Sequence, residues 1–85
     1  MNIEESILHK IKEALQPEIL RLKNNSSLHS GHLGDDGSGQ THFLLEIKAQ
    51  KLQGISRVQA HRVINDILKD EFKNGLHALE IKILP

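Results

Sequence analysis

The 85-residue sequence contains no cysteine, tryptophan or tyrosine, and Phe43 and Phe72 are its only aromatic residues apart from histidine. Without cysteine the chain cannot form a disulfide, use a thiol nucleophile, or supply a thiolate to zinc or to iron and sulfur. With two phenylalanines it has little on which nucleic-acid bases can stack. Six histidines remain as the candidates for metal or proton chemistry.

The chain also lacks an excess of charge, because 11 Lys and Arg residues balance 11 Asp and Glu residues. The whole molecule therefore exerts no long-range attraction on nucleic acids or anionic membranes. No apolar run approaches the roughly 20 residues of a membrane span, and the start of the chain is acidic where a secretory signal is basic. We therefore expect a cytosolic protein with no membrane contact, folded as one domain over residues 1–85.

Apolar periodicity in the first half of the chain predicts a helix followed by two strands. Residues 3–15 carry apolar side chains at spacings of three and four, and the helix must end before Pro17. Residues 18–23 and 41–49 alternate apolar and polar side chains, which is typical of half-buried strands. Between them, the glycine-rich and histidine-rich residues 25–40 predict a flexible loop.

The second half predicts one more helix and one more strand. Ser56 and Gln59 have the spacing of a capping box, which opens a helix with Gly75 just past its end. Residues 76–84 alternate again, with His77 opening the apolar face. The order helix, strand, strand, helix, strand favours a small α+β domain with a three-stranded mixed sheet and both helices on one face.

Four histidines are candidates for chemistry. His77 stands at the start of a predicted core strand, where a rigid element fixes a ligand; the alternative is that it only caps the edge of the core. His29 and His32 lie three residues apart in the loop, where they can reach one ion or remain solvated surface residues. His42 points away from Phe43, so we expect it to face solvent or to lie at the loop's mouth, where it can support a ligand without binding metal itself.

A local excess of basic residues lies between positions 48 and 62. This stretch has four basic and no acidic residues, namely Lys48, Lys51, Arg57 and Arg62, and leaves seven basic against eleven acidic residues elsewhere. Such a patch at a helix N-terminus can meet phosphates or an acidic protein, or it can be an ordinary solvated surface. We expect the partner or nucleic-acid surface to include Lys51, Ser56, Arg57, His61 and Arg62. The loop serines lack the rigid base and orienting acid of a catalytic triad, so we predict no enzymatic activity.

Four sequence blocks resemble the BolA-like protein family. They are NNS at 24–26, SGQTHF at 38–43, GISRVQAHR at 54–62 and GLHAL at 75–79. Asn25 and Gln40 stand where the family usually has an acidic residue. The resemblance implies a class II KH-like fold, and the turn at residues 54–57 lacks the second glycine with which a KH loop approaches a nucleic-acid backbone.

The resemblance also implies a partner and a cofactor. Members of this family are partners of monothiol glutaredoxins, with which they share a two-iron, two-sulfur (2Fe-2S) cluster in iron–sulfur trafficking or iron regulation. The glutaredoxin and a glutathione supplied through it would provide two thiolates, which leaves two positions for imidazole. The family motif carries over to His77 as one ligand and to His29 as the other, with His32 as the alternative.

Two other functions remain possible from the sequence. A transcription regulator would place the helix at residues 56–68 on DNA, and a zinc or copper protein would use the same histidines without a partner. The sequence also leaves open whether the free chain is a monomer or a weak homodimer.

Overall fold

The predicted order of helices and strands is present in a computed structural model, which describes residues 2–25 and 41–85. The main elements are helix α1 (Ile3–Leu15), strands β1 (Ile19–Asn24) and β2 (His42–Lys48), helices α2 (Arg57–Ile67) and α3 (Lys69–Lys73), and strand β3 (Ala78–Ile83). A single 3-10 turn at Gln50–Leu52 precedes α2. The loop predicted at residues 25–40 falls outside the described residues except for Asn25.

The three strands form one mixed sheet in the order β1-β2-β3, as the sequence predicts. Strand β1 pairs antiparallel with β2, and β2 pairs parallel with β3. A parallel pair needs a long crossover between its strands, and α2 and α3 lie in that crossover. The α+β architecture with a three-stranded mixed sheet is thus confirmed.

Alternation along β2 decides where the core lies. Phe43, Leu45 and Ile47 are buried on one face of the sheet, where helix residues pack against them. The buried positions of the two long helices recur at spacings of three and four and are Ile7, Ile11, Leu15, Ala60 and Ile64. The other face of the sheet carries the charged residues; its side chains are exposed on β1 and β3 and mostly half-buried on the central strand β2.

The helix ends follow the capping signals in the sequence. The Asn2 side chain accepts a hydrogen bond from the Glu5 amide at 2.8 Å, which satisfies one free donor of α1. At the start of α2 the Ser56 hydroxyl accepts from the Gln59 amide and the Gln59 side chain accepts from the Ser56 amide, which completes the capping box.

The second helix is shorter than the sequence predicts. It ends at Ile67, where Leu68 adopts φ −102° and ψ 14°, and the separate helix α3 fills the space before Gly75. Neither glycine nor proline marks this break, and the Leu68 side chain is fully buried. The break therefore belongs to the tertiary packing and has no local sequence signal.

One partly buried ion pair joins α1 to α3. The Lys10 ammonium on α1 donates to Oε2 of Glu71 on α3 at 2.7 Å, and the Glu71 side chain is only 5% exposed. The hydrogen bond to Glu71 raises the pKa of Lys10 above 10.5, and the charges of Glu71 and Asp70 act in the same direction. Because loss of the Lys10 ammonium would leave the buried Glu71 carboxylate without its cation, this contact helps to hold α3 against α1.

The raised pKa of Lys10 predicts a loss of stability in alkali. A group whose pKa is higher in the folded state contributes fully below its unfolded value, 10.5 for this lysine, and loses that contribution as pH rises through the folded value. We expect the free energy of urea unfolding to fall less steeply above about pH 10 in Lys10→Met than in the wild type. The exposed-residue variant Lys12→Met is the control, and parallel alkaline losses in the wild type and Lys10→Met would contradict the assignment.

Candidate functional site

Two histidines that are far apart in sequence meet where β2 begins. His42 is the first residue of β2, and His77 immediately precedes β3. The Thr41 carbonyl oxygen accepts hydrogen bonds from the amides of His77, at 2.9 Å, and Ala78, at 3.1 Å. These bonds place the ring centroids of His42 and His77 5.2 Å apart at an interplanar angle of 49°. A histidine pair thus forms at the end of the sheet where β2 and β3 both begin.

His42 is the buried member of this pair. Only 7% of its surface is exposed, so the expectation that it faces solvent is wrong. Its backbone carbonyl accepts from the Asn25 amide at 2.8 Å, so it does lie at the mouth of the segment at residues 26–40. The buried Thr41 hydroxyl is 2.7 Å from Nδ1 of the His42 ring, and this hydrogen bond restrains the ring orientation.

His77 is the exposed member, which corrects its predicted position on the apolar face of the last strand. Consecutive amides of a regular strand point in opposite directions, yet those of His77 and Ala78 both reach the Thr41 carbonyl. The backbone is therefore irregular before Ala78, and the alternation that holds at Leu79 and Ile81 does not extend back to His77. Leu76 is buried in its place, and the His77 imidazole faces outward on a fixed backbone.

The loop histidines His29 and His32 lie outside the described residues. Within residues 2–25 and 41–85, no three histidine or acidic side chains come together as a group that could hold a metal ion. The described part of the chain therefore supplies two neighbouring imidazoles. Of these, only the exposed His77 can reach a metal centre that is held by another molecule. A zinc or copper site made by these residues alone is not present in that part.

The predicted partner surface at α2 is only partly exposed. Ser56, Arg57 and Arg62 are exposed, although the Ser56 hydroxyl is already engaged in helix capping. Lys51 is exposed too, and its ammonium donates to the Ala14 carbonyl at 2.9 Å. His61 departs from the prediction, because it is half-buried and its Nε2 is enclosed without a hydrogen-bond partner. The available polar groups of this surface are thus chiefly the two arginines.

The local positive charge of the basic patch is also smaller than the four basic residues in the sequence indicate. The Lys48 ammonium lies 3.7 Å from a carboxylate oxygen of Glu18, which offsets its charge locally. Lys51 is held against the end of α1 by its bond to Ala14. Arg57 and Arg62 are therefore the residues of the predicted patch best placed to meet an anionic partner.

Sequence periodicity missed the apolar component of this surface. Three large apolar side chains are exposed around α2: Ile55 at 39%, Val58 at 60% and Val63 at 37%. The buried stripe of α2 passes through Ala60 and Ile64, and Val58 lies on the polar side of that stripe. An apolar residue on the polar side of a helix was the signal available in the sequence. We name Ile55, Arg57, Val58 and Arg62 the α2 surface.

The described helices include none that is long and apolar enough to cross a membrane.

Comparisons with known proteins place these features in a family. A family model described as BolA-like protein matches residues 11–85. The chain is 42% identical over 84 residues to the UV-induced protein uvi31 of Schizosaccharomyces pombe, which covers 95% of this chain and 82% of that protein. It is 33% identical over 79 residues to the DNA-binding transcriptional regulator BolA of Vibrio cholerae, covering 93% and 71%.

The fold is similar to a solved structure as well. The BolA domain of SufE1 from Arabidopsis thaliana superposes with a TM-score of 0.84 and 42% sequence identity, covering 93% of this chain and 86% of that one.

The bond between Thr41 and His42 can be tested without any ligand. Thr41→Val keeps the side-chain shape and removes the hydroxyl, so we expect the unfolding free energy to fall by about 1–2 kcal/mol and the ring-nitrogen NMR signals of His42 to shift. Thr41→Ser, which retains the hydroxyl, should leave those ring signals close to the wild type. Unchanged His42 ring signals in Thr41→Val would show that the hydroxyl does not restrain the ring.

Proposed function

Because this chain belongs to the BolA-like protein family, we propose that it is a non-enzymatic adaptor, which binds a monothiol glutaredoxin and co-ligates a shared 2Fe-2S cluster. Its role would lie in iron–sulfur trafficking or iron regulation in the cytosol. The chain has no cysteine, and the family resemblance assigns its contribution to such a cluster to histidine nitrogen.

The observation that carries this proposal is the outward-facing imidazole of His77. A residue that binds a cluster held partly by another protein must be exposed before the complex forms, and His77 is exposed. Its backbone is nevertheless fixed, because its amide is bonded to the Thr41 carbonyl at 2.9 Å. A fixed backbone reduces the conformational entropy lost when the ligand binds.

The neighbouring His42 suits a supporting role better than direct ligation. It is buried, its Nδ1 is bonded to the Thr41 hydroxyl, and its ring centroid is 5.2 Å from that of His77. A restrained ring beside His77 limits the orientations that the exposed imidazole can adopt, as residues behind metal ligands commonly do.

Family resemblance assigns the remaining ligands. The glutaredoxin cysteine and a glutathione bound to the glutaredoxin provide two thiolates, and His29 provides the second imidazole, with His32 as the alternative. The bound cluster would supply one-electron redox chemistry, and histidine in place of thiolate would raise its reduction potential. Both imidazoles must be neutral to bind iron.

The α2 surface is the proposed docking site for the glutaredoxin. It combines exposed apolar area on Ile55 and Val58 with the charges of Arg57 and Arg62. Apolar contact with arginine close by is a common composition for the centre of a protein interface.

DNA binding is a second candidate function, favoured by one specific observation. The relative in Vibrio cholerae is named as a DNA-binding transcriptional regulator, and it is similar over 93% of this chain. Arg57 and Arg62 would face the phosphates from α2. Net neutrality and the pairing of Lys48 with Glu18 make unaided binding weak.

Substitution of His77 tests the adaptor function. We expect His77→Ala to abolish the mixed histidine and thiolate signature in the visible circular dichroism spectrum when the protein, a monothiol glutaredoxin and glutathione are reconstituted anaerobically with iron and sulfide. Because the side chain is exposed, the variant should keep the far-ultraviolet spectrum and thermal stability of the wild type. His9→Ala, which removes another exposed histidine on α1, is the matched control.

The same reconstitution distinguishes the two loop histidines. Loss of the signature in His29→Ala with retention in His32→Ala supports the assignment of His29, and the reverse result assigns His32. A wild-type spectrum for His77→Ala would reject the proposed ligation.

A fluorescence anisotropy titration with a defined DNA duplex tests the second function. Under that function, Arg57→Gln and Arg62→Gln should each weaken saturable binding and lower its salt dependence, while Lys23→Gln on β1 should not. Absence of saturable binding by the wild type at low salt would contradict it.

A further inference from the structure

Strand β3 has one edge that no strand of the described residues pairs with. Among the described strands it pairs only with β2. The Ala78 amide donates to the Thr41 carbonyl and the Leu84 amide donates to the Ile47 carbonyl, so every second residue of β3 directs its backbone groups toward β2. Backbone groups alternate in direction along a strand. The amides and carbonyls of Leu79, Ile81 and Ile83 therefore point toward the open edge.

The exposed face of the sheet carries a row of alternating charges that ends at this edge. Arg21 on β1 is opposite Glu46 on β2, and Glu46 is opposite Lys82 on β3. The Lys82 ammonium lies 3.9 Å from a Glu46 carboxylate oxygen. The next position in this row, beyond β3, would continue the alternation if it held an acidic residue.

Strand β3 itself contains that acidic residue in the required place. We propose that two copies of this chain associate through an antiparallel pairing of their β3 strands, centred on Ile81. In this register Glu80 faces Lys82 of the second copy, and Lys82 faces Glu80 of the second copy. Leu79 and Ile83 face each other on the opposite side of the sheet.

The same register also satisfies the backbone hydrogen-bonding groups at the open edge of β3. With Ile81 opposite Ile81 of the second copy, the outward-pointing groups of Leu79, Ile81 and Ile83 become the hydrogen-bonded pairs of the antiparallel ladder. Glu80 and Lys82 then occupy the pairs without backbone hydrogen bonds, where opposed side chains are closest. Backbone and charge patterns thus select one register.

The other edge of the sheet, strand β1, is not complementary in charge to a second copy of itself. Strand β1 carries Arg21 and Lys23 as its charged residues, so antiparallel pairing of two β1 strands centred on Leu22 would oppose like charges. Charge complementarity therefore favours β3 over β1 as the self-association edge.

Space for a second strand is present beside β3. A groove of about 690 Å³ is lined on β3 by Glu80 and Lys82 and by Ile81 and Ile83, and it continues to Ile55 and Arg57 of the α2 surface. Because the two β3 pairs project to opposite faces of the strand, the groove reaches its edge. A contact made mainly by one short strand is smaller than a standard interface, so we expect weak, reversible association.

Charge reversal at Glu80 and Lys82 tests this pairing with substitutions that lie outside both the histidine pair and the α2 surface. Sedimentation velocity of the full chain, run as a concentration series into the millimolar range, should show reversible dimerisation. Glu80→Lys and Lys82→Glu each place like charges opposite each other, and each should raise the dimer dissociation constant about tenfold. An equimolar mixture of the two variants restores both opposite-charge pairs, so it should dimerise about as well as the wild type.

Further measurements check that the variants fold and that the two strands pair in the proposed register. Both residues are exposed, so circular dichroism should show folded variants, and Lys23→Glu on β1 should dimerise normally. Amide hydrogen exchange should slow with rising concentration at Leu79, Ile81 and Ile83, while the amides of Glu80 and Lys82, bonded to β2, should not change. A wild-type chain that stays monomeric, variants that dimerise normally, or a mixture that fails to recover would each overturn the proposal. If these edge amides become protected only when glutaredoxin is added, that partner occupies the edge and self-association is wrong.

Discussion

The carbonyl oxygen of Thr41 joins the two parts of the chain on which the site depends. It accepts the amides of both His77 and Ala78, so the parallel pairing of β3 with β2 begins at the residue before His42. The pairing of β2 with β3 brings His42 beside the start of β3, although 34 residues separate His42 from His77 in sequence. The burial of the Thr41 side chain anchors the contact in the core.

Residues of the core and the candidate functional residue His77 project to different sides of the sheet. Its inner face supplies the core with Phe43, Leu45 and Ile47, while the irregular backbone before β3 sends Leu76 inward and His77 outward. A single change of direction at the start of a strand thus gives an exposed imidazole on a rigid base. The charged outer face supports the proposed self-association. Its alternating charges end at β3, where Glu80 and Lys82 of one copy can face Lys82 and Glu80 of a second copy.

Local patterns in the sequence predicted the elements, and long-range contacts decided the site. The stripe of α1 and the capping box at Ser56 involve residues a few positions apart, so they were readable from the sequence. The break at Leu68, the pairing of Lys10 with Glu71 and the outward turn of His77 all depend on contacts between distant segments. The family resemblance pointed to His77 as a candidate ligand, but it could not indicate that this side chain lies off the buried face of the sheet.

The central claim is that the His77 nitrogen binds iron in a complex with a monothiol glutaredoxin. Pulsed electron paramagnetic resonance of the reduced complex, with nitrogen-isotope-labelled histidine incorporated into this chain alone, measures that bond directly. The account predicts hyperfine coupling from a labelled histidine nitrogen that is lost when His77 is replaced by alanine. A cluster-containing complex without coupling from this chain, or with coupling that survives the replacement, would contradict it.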